Sequence, residues 1–275
     1  MRALTAGDVE RASAELANGT TLPLLNDALS TYLTGDGDGR VYDQPAAFTA
    51  FIRGGGNVRL YDAVSRVLAE RYRKLGVRSL VDIGCGDGRA VLPALAATPV
   101  PAVTLVEPSR PLLDSALAAA PADIGIIPCQ ADAAAFVAGA DRRFDLAEST
   151  FALHALPHEE RSAVLSGLRG HVSHLVLAEF DVPDHPVGGD AHLEFLAATY
   201  EQGLAEYDGS RDLVAQGFLM PVLTGQLAPG ARRSTWEQPA TAWAEQVRAC
   251  GYRNIGLEPL VDYWSSPAFL LTAEA

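Results

Sequence analysis

The chain has 275 residues, of which 48% are apolar and 20% charged, and its formal net charge is −13. At about 150 residues per domain this makes one or two domains, apolar enough to exclude a disordered chain. The acidic balance, with no dense Lys/Arg run, argues against nucleic acid or an anionic membrane face as partner, since both select clustered positive charge.

The first 78 residues read as helices. Apolar residues recur at three- and four-residue steps over Ala6–Leu16, Leu22–Leu33 and Val58–Leu75. Gly35-Asp36-Gly37-Asp38-Gly39 and Gly54-Gly55-Gly56 interrupt the pattern. From Ser79 the texture changes. Strands are predicted at Leu80–Ile83, Ala102–Val106, Ile124–Ile127, Phe144–Ala147 and His174–Phe180. Helices fall between them at Arg89–Ala97, Arg110–Ala119, Ala133–Val137 and His158–Leu168. This alternation predicts βαβ units and a parallel sheet covered on both faces. Residues 182–238 break it with a helix over Ala191–Tyr207 and an irregular Gly/Pro stretch from Gly217 to Gly230. A last helix, Pro239–Cys250, carries Pro at its first turn and Gly251 just past its end. Two strands follow, Tyr252–Val261 and Ala268–Ala273. Their link is too short for a parallel crossover, so one strand is reversed.

Cys85, Cys129 and Cys250 make no CxxC pair and no zinc or iron–sulfur spacing, so no disulfide framework and no metal centre are expected. That cysteine usage predicts a reducing, cytoplasmic setting. Residues 1–19 hold no apolar signal region, and no 18-residue apolar run predicts a membrane span.

The run Val81-Asp82-Ile83-Gly84-Cys85-Gly86-Asp87-Gly88-Arg89 links a predicted strand to a predicted helix. Glycines there permit a tight turn and close approach of a ligand to the backbone. A dinucleotide fingerprint wants a third glycine where Arg89 stands. Asp82 and Asp87 would repel a pyrophosphate and suit a ligand with an ammonium or sulfonium group. Glu107, ending the second strand before Pro108, lies 19 residues after Gly88, where a carboxylate can accept from a ribose diol. Asp132, after the third strand, can accept from an adenine amino group.

These three motifs, in this order, resemble the cofactor motifs of class I S-adenosylmethionine (SAM)-dependent methyltransferases over roughly residues 57–180. The resemblance implies an α/β fold: a Rossmann-like, seven-stranded, mostly parallel sheet. It further implies a helical cap over residues 1–78, and a SAM-binding core over 79–275 with a cap insertion at about 182–238. By motif, Asp82, Gly84 and Gly86 would line the methionine end of SAM. Glu107 and Pro108 would sit at the ribose, Asp132 and Ala133 at adenine, and Glu148 and Ser149 at the methyl group. S-adenosylhomocysteine (SAH) would be the product.

Glu148-Ser149-Thr150-Phe151 lacks the prolines of nucleobase amino-methyltransferases, and Asp181-Val182 departs from the Asp-Asn pair of metal-dependent catechol enzymes. What remains resembles small-molecule methyltransferases of bacterial secondary metabolism. The expected acceptor is an aromatic or heterocyclic compound, methylated at O, N or an electron-rich carbon. His154 is the candidate general base, with Tyr61 the second catalytic candidate. Phe151, His185, Tyr200 and Trp264 are candidates for the acceptor site, and Trp236 could add to an aromatic wall. His154 and His158 are separated by Pro157, which argues against a helical metal pair. A non-methyl reaction on the same fold, a binding module, a protein acceptor and an NAD-linked oxidoreductase stay open as alternatives, and caps of this kind allow a homodimer.

Overall fold

Seven runs rich in Val, Ile and Leu pair into one sheet in the computed structural model, which describes residues 1–17, 21–35, 45–122, 124–230 and 233–275. The strands are β1 (Ser79–Ile83), β2 (Ala102–Val106), β3 (Gly125–Cys129), β4 (Phe144–Thr150), β5 (Val172–Phe180), β6 (Arg253–Val261) and β7 (Ala268–Glu274). Their order is β3-β2-β1-β4-β5-β7-β6. The first five are mutually parallel, and β7 runs antiparallel to both β5 and β6. The sequence predicts the reversed strand. The structure places it second from the edge, with β6 outermost.

The helices in chain order are α1 (Arg2–Thr5), α2 (Val9–Ala17), α3 (Pro23–Thr34), α4 (Pro45–Arg53), α5 (Asn57–Leu75), α6 (Val91–Ala97), α7 (Arg110–Ala119), α8 (Ala133–Ala138), α9 (His158–Arg169), α10 (Asp190–Ala205), α11 (Arg211–Val214), α12 (Met220–Leu227) and α13 (Ala240–Ala249). Alternate strand residues feed opposite faces of the sheet. Leu80, Leu105 and Leu146 pack with Leu68 and Tyr72 of α5 and Leu95 of α6. Val81, Ala147 and Leu177 pack with Leu165 and Leu168 of α9 and Trp243 and Val247 of α13.

The chain divides into two compact units. One is Arg59–Val182 with Trp236–Asp262 and Pro267–Ala275, which carries the sheet. The other is Met1–Val58 with Pro183–Thr235 and Tyr263–Ser266, which is helical. α5 therefore belongs almost entirely with the sheet, because Val64, Leu68 and Tyr72 at four-residue spacing are buried against it. The helical unit has its own apolar cluster, including Leu29, Leu204, Met220 and Leu223.

Two local expectations need correction. Gly217–Gly230 is not irregular: a π-helical turn over Ala215–Leu219 leads into α12. Pro221 stands inside this continuous helical run, just past the π-helical turn, and a π-bulge is one of the ways a helix departs from its regular ladder. The predicted helix over Ala6–Leu16 is broken at Gly7, whose φ is +75°. Helix α4 gives no clear sequence signal. The Asp36–Gly39 part of the glycine-rich break lies outside the described residues.

Candidate functional site

The strand order turns back between β1 and β4, and in open α/β sheets ligands bind at the carboxyl ends beside such a switch point. The loop after β1 is tied down by backbone bonds. The amides of Gly84 and Cys85 both donate to the Val106 carbonyl at 2.8 and 3.1 Å, and Gly88 N–H donates to Cys85 O. Gly84 has φ +75° and Gly86 φ +56°, conformations that cost a side-chain-bearing residue energy. A Cβ on Gly84 would lie 2.5 Å from Ala152 Cβ, whereas one on Gly86 would meet nothing within 4 Å. The first glycine is thus required by packing, and the second opens onto free space.

Three carboxylates gather around this loop. Asp82 is 2% exposed, and its Oδ1 has no hydrogen-bond partner. Burial, and then the charge of Glu107, push its pKa up to about 8. Glu107, 7% exposed, accepts from Gly86 N–H through Oε2 at 3.0 Å and from Ser109 N–H through Oε1 at 2.9 Å. Burial raises its pKa, and the two amides hold it back. Glu148 is the strand partner of Asp82, and both its oxygens accept from the Tyr72 hydroxyl at 2.7 Å. Burial, then Asp82, lift its pKa well above the usual range, against the pull of that hydroxyl. Two buried carboxylates on neighbouring strands cannot both ionise at low cost. The pair therefore favours a nearby cation.

The ends of β4 and β5 carry an aromatic wall. Phe151 holds the left-handed backbone conformation, φ +50°, an outlier for a bulky residue. Its ring stacks on Phe180 at 4.5 Å and meets Tyr61 edge-on at 5.8 Å. The His154 ring lies 6.5 Å from Phe180. Its Nδ1 is 2.8 Å from Glu179 Oε2, and its backbone N–H donates to Glu179 Oε1 at 3.2 Å. Because a carboxylate only accepts, Nδ1 carries the hydrogen and Nε2 is the basic nitrogen of the neutral ring. Burial works to lower the His154 pKa, but the Glu179 charge and hydrogen bond outweigh it, and the net shift is upward.

The comparisons with known proteins agree with this geometry. Residues 80–174 match a family model described as a methyltransferase domain. Over these residues, from β1 to the start of β5, the chain is similar to that domain. Its fold is similar to magnesium protoporphyrin IX methyltransferase (ChlM) from Synechocystis PCC 6803 with bound SAH. That match has a TM-score of 0.55 at 18% identity, over 85% of this chain and 95% of that one. It is also similar to the mitomycin 7-O-methyltransferase MmcR, with a TM-score of 0.53 at 18% identity over 99% of this chain and 68% of that one. Human N-acetylserotonin methyltransferase in complex with SAM matches with a TM-score of 0.50 at 14% identity over 96% of this chain and 66% of that one. A comparison with curated protein sequences finds no significant match.

Two of these neighbours are solved with SAH or SAM bound, and the residues present in this chain fit such a ligand. SAM carries an ammonium and a sulfonium, and the buried Asp82 oxygen lacks a donor. Each Glu107 oxygen spends one lone pair on an amide and keeps another for a ribose hydroxyl. The space above Gly86 admits a ligand against the backbone.

Other expected site residues fall in various places. Asp132 is exposed, and its Oδ1 caps α8 by accepting from Ala135 N–H at 2.7 Å, which leaves Oδ2. Pro108 is exposed and Ala133 half-buried. Glu148 is engaged with Tyr72, and the Ser149 hydroxyl donates to the Ile83 carbonyl at 2.8 Å. In the helical unit, Tyr200 and Trp264 are core residues packed edge to face at 5.9 Å, and His185 meets Phe195 at 5.9 Å. Trp236 donates its N–H to the His154 carbonyl at 2.7 Å. Asp181 accepts from Ala240 N–H at 2.8 Å and so anchors the start of α13.

Glu179, Phe180, Tyr72 and Arg161 are missed by sequence reasoning. Glu179 had a usable signal: an acid inside the apolar run Leu175–Phe180 of a doubly covered strand is an anomaly that demands a partner.

Proposed function

We propose that this chain is a SAM-dependent methyltransferase that transfers the methyl group to a hydroxyl of a small aromatic or heterocyclic acceptor, with His154 as general base. The observation that carries this reading is the His154–Glu179 pair at 2.8 Å. A hydroxyl must lose its proton as it attacks, and an imidazole held in one tautomer by a buried carboxylate is built to take it. When bound, SAM supplies a methyl on a positive sulfur that leaves as a neutral thioether.

In this reading Asp82, Gly84 and Gly86 hold the methionine end, Glu107 beside Pro108 binds the ribose diol, and Asp132 Oδ2 with Ala133 meets adenine. His154 Nε2 would take the proton of the acceptor hydroxyl as that oxygen attacks. Tyr61 and Phe151 offer ring faces and edges to a flat acceptor. The small-molecule acceptor is supported by the mitomycin and N-acetylserotonin methyltransferases among the structural neighbours.

The test is SAH formation over a panel of phenolic, amine and indole acceptors, with His154→Gln beside the wild type. A phenolic acceptor is expected to turn over, and the variant is expected to lose about 10²–10⁴ in kcat while SAH affinity stays within about twofold. Undiminished turnover by His154→Gln would remove the base from the mechanism.

A further inference from the structure

Arg161, on α9, is 0% exposed, the most complete burial of any charged side chain described. Its guanidinium lies 4.0 Å over the Trp243 ring. Nη2 donates to the carbonyls of Leu156 and Trp236, at 3.2 and 2.6 Å. Trp236 in turn donates its N–H to the His154 carbonyl. One arginine thus grips the His154 turn directly at its end and indirectly through Trp236. Nε and Nη1 have no partner among the described residues. A buried cation with unmatched donors is expensive to fold around, and an apolar residue would fill the space at lower cost. The burial calls for a role beyond packing.

We propose that Arg161 is the positioning residue for His154, fixing the turn that carries it and offsetting the acidic charges that surround it. This inference rests on the reading of His154 as the base. Three charged groups act on the imidazole from the elements around it: Glu179 on β5, Glu237 in the segment before α13, and Arg161 on α9. The two acids favour the imidazolium, which cannot accept a proton, and Arg161 opposes them. Burial pulls the guanidinium down to about 10, so it remains charged at neutral pH. Without it, His154 would face two acids alone and stay protonated to higher pH.

The test follows the ring-proton titration of His154 by NMR in the cofactor-free protein, where six histidines keep the spectrum simple and His154→Gln assigns the signal. In Arg161→Met the His154 midpoint is expected to move up, and the acid limb of the kcat/KM profile to move with it, while SAH affinity stays within about twofold. Arg161→Lys keeps the charge but not the planar fork. It is expected to return the midpoint toward wild type yet lose about tenfold in kcat through misplacement of the base. If Arg161→Met does not fold, Glu237→Gln reads the same balance from the other side, with an expected downward midpoint. A folded Arg161→Met, or Glu237→Gln, with an unmoved midpoint would overturn the proposal. Full activity in His154→Gln would instead overturn the base reading, whatever Arg161 does to the titration.

Discussion

Asp82 shows how a single side chain can work against stability in favour of binding. Its folded-state pKa, about 8, lies above the ordinary 3.8, so the native state binds more protons than the unfolded chain between those values. Stability must therefore fall as pH rises through that window. A bound cation would reverse the effect by stabilising the carboxylate. Asp82→Asn is accordingly predicted to flatten the loss of urea stability between pH 5.5 and 8.5. It should also weaken SAM by about tenfold or more, as expected for losing an interaction with a charged group. Parallel stability curves for the two proteins would contradict this account. Asp82 was legible as a site residue because it precedes the glycines. Its pairing with Glu148 and Tyr72 was not, since three residues up to 76 positions apart meet only after the sheet and α5 have packed.

At the scale of elements, the loop between β1 and α6 and the strand ends carry the function. Gly84 combines a left-handed φ with a Cβ position 2.5 Å from Ala152. Gly84→Ala is predicted to cost about 1–3 kcal/mol in chemical denaturation and to weaken SAH sharply. Equal stability of variant and wild type would mean that the loop is not strained there. Strands β1, β2, β4 and β5 were readable because doubly covered parallel strands are continuous apolar runs. The segment 215–227 was not. Its glycine and proline count imitates a loop, and burial of Leu219, Met220, Leu223 and Leu227 in the helical cluster overrides composition. Asp181 drew attention as a strand-end acid, yet its hydrogen bond shows that it anchors α13.

On the scale of the whole molecule, the chain comprises a sheet unit that holds the glycine loop, Glu107 and Asp132, and a helical unit with a separate apolar cluster. No helix among the described residues is long and apolar enough to cross a membrane. A ligand that binds only the native sheet unit stabilises it by mass action. SAH at 100 times its Kd is therefore predicted to add about 2.7 kcal/mol to that unit's unfolding free energy, measurable as a raised denaturation midpoint. In sequence α5 is amphipathic like the helices before it, and only the packing of Tyr72 against the sheet shows where it belongs. The central claim is that the glycine loop and Glu107 form a SAM site. Calorimetric titration with SAH, wild type against Glu107→Ala, tests it most directly. Micromolar binding by the wild type, weakened about tenfold or more in the variant through loss of hydrogen bonds to a charged group, is the predicted result. Absence of binding by the wild type, or equal binding by both proteins, would contradict it.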